Sequence, residues 1–125
     1  MNNPVLDPRD LRYVLFEILN IDSLTQFEKF ASFDHDTFEA TLDLIENIAV
    51  KECYPHFADA DRIGCSWDPA TGNVTLPDAV KKPLKAYYDA EFIGIVESPE
   101  IGGMGMPQSL GAACGEFISA AHQPL

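Results

Sequence analysis

Three glycines set between two prolines most constrain this chain: Pro99-Glu100-Ile101-Gly102-Gly103-Met104-Gly105-Met106-Pro107, entered from the apolar run Phe92-Ile93-Gly94-Ile95-Val96. Gly102, Gly103 and Gly105 can take positive φ without steric cost. The prolines discourage helix across the segment, and Pro107 suits the first turn of whatever helix follows. Pro99, Glu100, Gly102, Gly103, Gly105 and Pro107 are therefore expected to form a structural loop joining two helices.

Glycines after a strand-like run can also hold a phosphate on backbone amides at a helix N-terminus. The spacing excludes the dinucleotide form, because a third glycine is due three residues after Gly105 and Gln108 stands there. A P-loop is excluded as well, since no Lys-Ser or Lys-Thr pair follows. Charge points the same way: 20 acidic residues against 8 basic ones give a net charge of −12, with basic residues close together only at Lys81, Lys82 and Lys85. Such a chain repels nucleic acid and anionic membrane, so neither is an expected partner.

The 125 residues suffice for one buried core. The start, Met1 to Pro8, lacks the basic lead and apolar run of a signal peptide and the arginines of a transit peptide, so a cytoplasmic protein is expected. No apolar run approaches the roughly 18 residues of a membrane span. Cys53, Cys65 and Cys114 are odd in number and far apart, which argues against a disulfide framework or a zinc site. Cys53 and Cys114 fall on apolar stripes and are expected as buried thiols.

The periodicity predicts an all-α fold, a small helical bundle with an N-terminal helical arm and a short β-hairpin or ordered loop. The arm, residues 1–33, carries a helix over about 10–19 with Leu11, Val14, Leu15, Ile18 and Leu19 on one face, then a short helix or two packed turns displaying Leu24, Phe27, Phe30 and Phe33. The second unit, residues 34–125, opens with a helix near Asp36, where Asp36 and Glu39 resemble a capping box and Phe38, Leu42, Ile45, Ala49 and Cys53 share a face. Pro55 should kink or interrupt it, with a further turn over Phe57 to Arg62. Trp67, the turn cluster Asp68 to Asn73, and Val74 with Leu76 read as the hairpin. A helix over about 80–90 is expected to start late, so that Pro83 sits in its first turn. The last helix begins at Pro107 and buries Leu110, Cys114, Phe117, Ile118 and Ala121, while Gly111, Ala112, Ala113, Gly115 and Ala120 allow close approach.

No catalytic constellation emerges from the residues. No serine has a nucleophile-elbow context, and His35, His56 and His122 are isolated. Asp34-His35-Asp36 fits a helix cap better than a metal fragment. Asp59, Asp61 and Asp68 lack the spacing of a calcium loop. No catalytic, cofactor or metal residue is assigned.

The Pro-Glu-x-Gly-Gly-x-Gly loop, the Asp10-Leu11-Arg12-Tyr13-Val14-Leu15 arm ending in Glu17-Ile18-Leu19, the Asp61-Arg62-Ile63-Gly64-Cys65-Ser66-Trp67-Asp68 segment and the Pro77 helix with Lys85-Ala86-Tyr87 resemble one family. In that order they are similar to the N-terminal helical domain of flavin-dependent acyl-CoA dehydrogenases. The likeness is to the extended bacterial branch that includes 3-(methylthio)propanoyl-CoA dehydrogenase. Ile101 replaces an aromatic common before the paired glycines, and Phe92-Ile93-Gly94 replaces a tryptophan-containing step.

The resemblance implies α,β-dehydrogenation of an acyl-CoA thioester by a longer parent enzyme with FAD, passing electrons to an electron-transfer flavoprotein or similar acceptor. The family's base and most of its FAD contacts belong to other domains. This chain is then expected to be an incomplete N-terminal domain, inactive alone and without bound cofactor. It would supply part of the acyl-pocket wall, with His122, Gln123 and Leu125 nearest the substrate. A homo-oligomer is expected, held through apolar surface left open on the Leu110, Phe117, Ile118 helix. The alternative from another class is a free-standing helical interaction module.

Overall fold

Phe38, Leu42 and Ile45 recur at the spacing of one helical face, and the computed structural model, which describes residues 3–125, buries all three completely in helix α2 (His35–Ile48). Burying side chains of this size contributes about 1.5–3 kcal/mol each. Met1 and Asn2, the first residues of the expected arm, lie outside the described residues. The N-cap falls two residues earlier than the capping-box pattern placed it. Asp34 is the N-cap, its carboxylate accepting from the Thr37 amide at 2.8 Å and the Thr37 hydroxyl at 2.5 Å. Those bonds hold the Asp34 carboxyl below its ordinary pKa. Glu39 is free of capping duty and binds Arg12 instead.

The fold is all-α, with five α-helices and one two-stranded ribbon among the described residues. Past α2 the chain keeps winding through π turns at Ala49–Cys53 and a 3-10 turn at Tyr54–His56 before α3 (Phe57–Ile63). This is how the expected interruption at Pro55 is resolved. A proline N–H is missing there, and the looser and tighter turns absorb the loss without ending the rod. Strands β1 (Ser66–Trp67) and β2 (Val74–Thr75) pair antiparallel, Trp67 opposite Val74, and form the expected hairpin. Its turn is closed by Asp68, whose side chain accepts from the Ala70 amide and the Thr71 hydroxyl.

The arm is helical from α1 (Pro8–Arg12) into π turns over Tyr13–Ile18, then 3-10 turns at Ile21–Gln26 and Glu28–Phe30. Leu15 and Ile21 enter the same core as α2, whereas Val14, Ile18 and Leu19 of the expected stripe are exposed. Arg12 ties the arm to α2 through Glu39 at 2.8 Å, Asp43 at 2.6 Å and Glu46 at 3.5 Å. Burial alone would lower the Arg12 pKa, but the hydrogen bond and charge of Glu39, with Asp43 and Glu46 behind it, leave it raised.

Helices α4 (Asp78–Asp89) and α5 (Gln108–Ala121) complete the bundle. Pro83 is buried inside α4 rather than in its first turn, which corrects the expected late start. The physical reason lies on α5. Pro83 has no N–H to give the Ala79 carbonyl four residues back, and the Nε2 of His122 stands 2.9 Å from that oxygen. A carbonyl only accepts, so Nε2 carries a proton and donates, while Nδ1 is buried with no partner among the described residues. His122 thus restores by a side chain what Pro83 removes from the backbone. Leu110 and Phe117 are fully buried and Ile118 partly so. The open apolar face expected on α5 is therefore not there.

Two predictions follow from this packing. A Cβ on Gly103 would lie 2.3 Å from the Glu97 carbonyl oxygen, whereas one on Gly115 meets nothing within 4 Å. Gly103→Ala should cost about 1–3 kcal/mol in urea unfolding, and Gly115→Ala should raise stability by about 0.5–1 kcal/mol; equal effects would refute the packing. His122→Leu should cost about 1–3 kcal/mol by orphaning the Ala79 carbonyl. In a Pro83→Ala background, whose new N–H takes that carbonyl, the cost should fall by about 1 kcal/mol. Strict additivity in this double-mutant cycle would contradict the assigned bond.

Candidate functional site

The glycine loop folds back on the segment that leads into it. A 3-10 turn at Phe92–Gly94 and another at Pro99–Ile101, capped by the Ser98 hydroxyl, bring residues 103–106 alongside residues 94–98. Ile101 and Gly103 donate to the Ser98 carbonyl, Gly102 to Pro99, Met104 to Gly94, Gly105 to Glu97 and Met106 to Ile95, at 2.8 to 3.1 Å. Every amide from 101 to 106 is thereby spent inside the loop. Gly102 and Gly105 take the positive φ that the sequence predicted, at 89° and 71°. Gly103 does not: it is glycine because the Glu97 backbone leaves no room for a Cβ. The loop of Pro99, Glu100, Gly102, Gly103, Gly105 and Pro107 is thus a backbone clamp in which the amides of residues 101–106 all turn inward.

The clamp positions α5. A Cβ on Gly111 would lie 2.3 Å from Val96 Cγ1, so the helix rests directly against the entry segment. Among the small residues of α5, Ala113 is also buried, while Ala112, Gly115 and Ala120 face outward.

On its outer side the clamp meets the arm across a cavity of about 280 Å³. Lys29, Ser32 and Phe33 form one wall; Val96, Ser98, Pro99, Met104 and Gly105 form the other. Phe33, Val96 and Met104 each have one flank in the core, which fixes the apolar part of the lining. Lys29 makes no ion pair among the described residues, and its Nζ lies 5.3 Å from the Phe30 ring centre. Sequence reasoning reached Pro99 and Gly105 but missed Lys29 and Ser32, because nothing local links them to a loop some seventy positions away. Of the apolar anchors on these turns, Phe33 borders the clamp, Leu24 packs on the core and Phe27 stays exposed.

The residues expected nearest a substrate are placed apart from this cavity. His122 is buried on α4 with its ring edge toward Phe57, Gln123 is exposed, and Leu125 packs on the core with its amide donating to the His122 carbonyl. None of the three lines the cleft at the clamp.

The other chemistry-bearing residues are occupied structurally. Burial pushes the Cys53 thiol up to about 11 and the Cys114 thiol up to about 12, so both are protonated and poor nucleophiles near neutrality. Cys65 is exposed. Asp59 pairs with Arg62 at 2.7 Å, His35 faces Asp22 at 2.9 Å, and Asp68 serves its turn. Among the described residues no three His, Cys, Asp or Glu side chains converge as a metal site. Among the described residues no helix is long and apolar enough to cross a membrane. Large apolar side chains do stand open to solvent, in the arm at Tyr13, Ile18, Leu19 and Phe27, and around the hairpin at Ile63, Trp67 and Val74.

No protein-family profile matches the chain. Over 116 residues it is 33% identical to a broad-specificity linear acyl-CoA dehydrogenase of Mycobacterium tuberculosis, an alignment that covers 91% of this chain and 19% of that protein. The chain therefore spans about a fifth of that relative's length, and its likeness is to a portion of an acyl-CoA dehydrogenase.

Proposed function

We propose that these residues form the N-terminal helical domain of an FAD-dependent acyl-CoA dehydrogenase of the extended bacterial branch. Its role is to supply packing surface and part of the acyl-pocket wall, while the α,β-dehydrogenation of the thioester is carried out with groups from other domains. The observation that carries this reading is the alignment of nearly the whole chain with one fifth of a dehydrogenase. The chemistry of the chain agrees with it. The amides of residues 101–106 are spent inside the loop and both core thiols are protonated near neutrality, which suits a domain whose part is packing.

In this reading residues 1–33 are an accessory arm and residues 34–125 the family's helical domain. FAD and acyl-CoA belong to the complete enzyme, with an electron-transfer flavoprotein or similar acceptor and with oligomerisation. His122, Gln123 and Leu125 close the domain on the side that approaches the acyl chain, where His122 acts by holding α5 to α4. The exposed apolar side chains of the hairpin, Trp67 and Val74, are surface that such an enzyme would cover.

A chimera tests the proposal. Replacing the aligned 116 residues of the mycobacterial relative with those of this chain should give a protein that retains flavin absorbance and acyl-CoA-dependent dye reduction, within about tenfold of the parent. The isolated chain should show neither. A folded, flavin-loaded chimera without acyl-CoA-dependent turnover would defeat the acyl-pocket role. An isolated chain that binds flavin would defeat the division of labour.

A further inference from the structure

Beyond the dehydrogenase reading, and independently of it, we propose that the cleft between the arm and the glycine clamp is a binding site for an amphipathic monoanion, a medium-length alkyl chain ending in a carboxylate. The cavity of about 280 Å³ falls just below the roughly 300–1,000 Å³ of small-molecule sites, which selects a small, slender ligand. Phe33, Val96, Pro99 and Met104 give it apolar walls, and Gly105 keeps one side at backbone level. A Cβ there would come within 3.1 Å of the Pro99 ring.

The polar groups are few and of one kind. The Lys29 ammonium has no carboxylate partner among the described residues, and the hydroxyls of Ser32 and Ser98 also border the cavity. Ser98 accepts from the Glu100 amide at 3.3 Å, which leaves its own O–H free to donate. An ammonium and two hydroxyl donors beside apolar walls match a carboxylate head on an alkyl tail. The charge of the ligand is bounded too. In a chain of net charge −12, a dianion is repelled about twice as strongly by the protein's field as a monoanion, and one lysine is the matching cation. The amides of residues 101–106 are spent inside the loop and take no part in holding the head group.

Amide NMR titration of the whole 125-residue chain with sodium octanoate tests the site. Saturable shifts confined to residues 29–33 and 96–105 are expected. Lys29→Gln should weaken binding about fivefold, and Ser32→Trp, an exposed position at the mouth, should abolish it while leaving the remaining spectrum unchanged. Octanol should bind more weakly than octanoate, and octanoyl-coenzyme A should leave residues 29–33 unmoved. Equal binding of octanol, or shifts spread over Ile18, Leu19 and Phe27, would show a nonspecific apolar surface and overturn the proposal. Tight capture of octanoyl-coenzyme A in the cleft would overturn the carboxylate assignment while leaving the chimera experiment to decide the dehydrogenase reading.

Discussion

The backbone of residues 94–98 holds residues 103–106 through four amide hydrogen bonds, and the placement of the last helix depends on that contact. With the Gly105 amide on the Glu97 carbonyl and the Met106 amide on Ile95, Pro107 can begin α5 only where Gly111 meets Val96. From there Leu110, Cys114 and Phe117 reach the core built on Phe38, Leu42 and Ile45. Glycine at 103 is the steric condition for the whole arrangement, since any side chain would collide with backbone, which cannot rotate out of the way.

Two compensations of opposite kind hold the bundle around this clamp. At the buried end, His122 of α5 donates to a carbonyl that Pro83 leaves without its helical partner, so a local defect in α4 becomes a specific link between two helices. At the surface, Arg12 gathers three carboxylates of α2 and relieves some repulsion in a strongly acidic chain while seating the arm. The arm in turn closes the outer side of the clamp with Lys29, Ser32 and Phe33, which makes the cleft.

Much of this was legible in the sequence where one physical rule acted alone. The stripe Phe38, Leu42, Ile45, Ala49, Cys53 is buried throughout because helical period and hydrophobicity agree there. The turn residues Asp68 to Asn73 fixed a hairpin even though its strands have two residues each. Rules failed where a distant group overrode a local preference. Pro83 was expected in a first turn because an interior proline orphans a carbonyl, and no local signal revealed that His122 would satisfy it from 43 positions away. Asp36 and Glu39 matched a capping box, but Asp34 reached Thr37 first and Arg12 claimed Glu39. The cleft was legible by half. Pro99 and Gly105 declared themselves by residue type, whereas Lys29 and Ser32 gain meaning only from tertiary contact.

The central physical claim is that the glycine segment is a closed clamp whose amides are consumed internally. Hydrogen exchange of the Met104, Gly105 and Met106 amides tests it most directly. Protection comparable to that of the buried turns of α2 and α5 is the predicted result, because those amides open only when the clamp leaves the core. Exchange at the rate of an unstructured peptide would mean that the loop is an open strap, and the account of how α5 is positioned would fail with it.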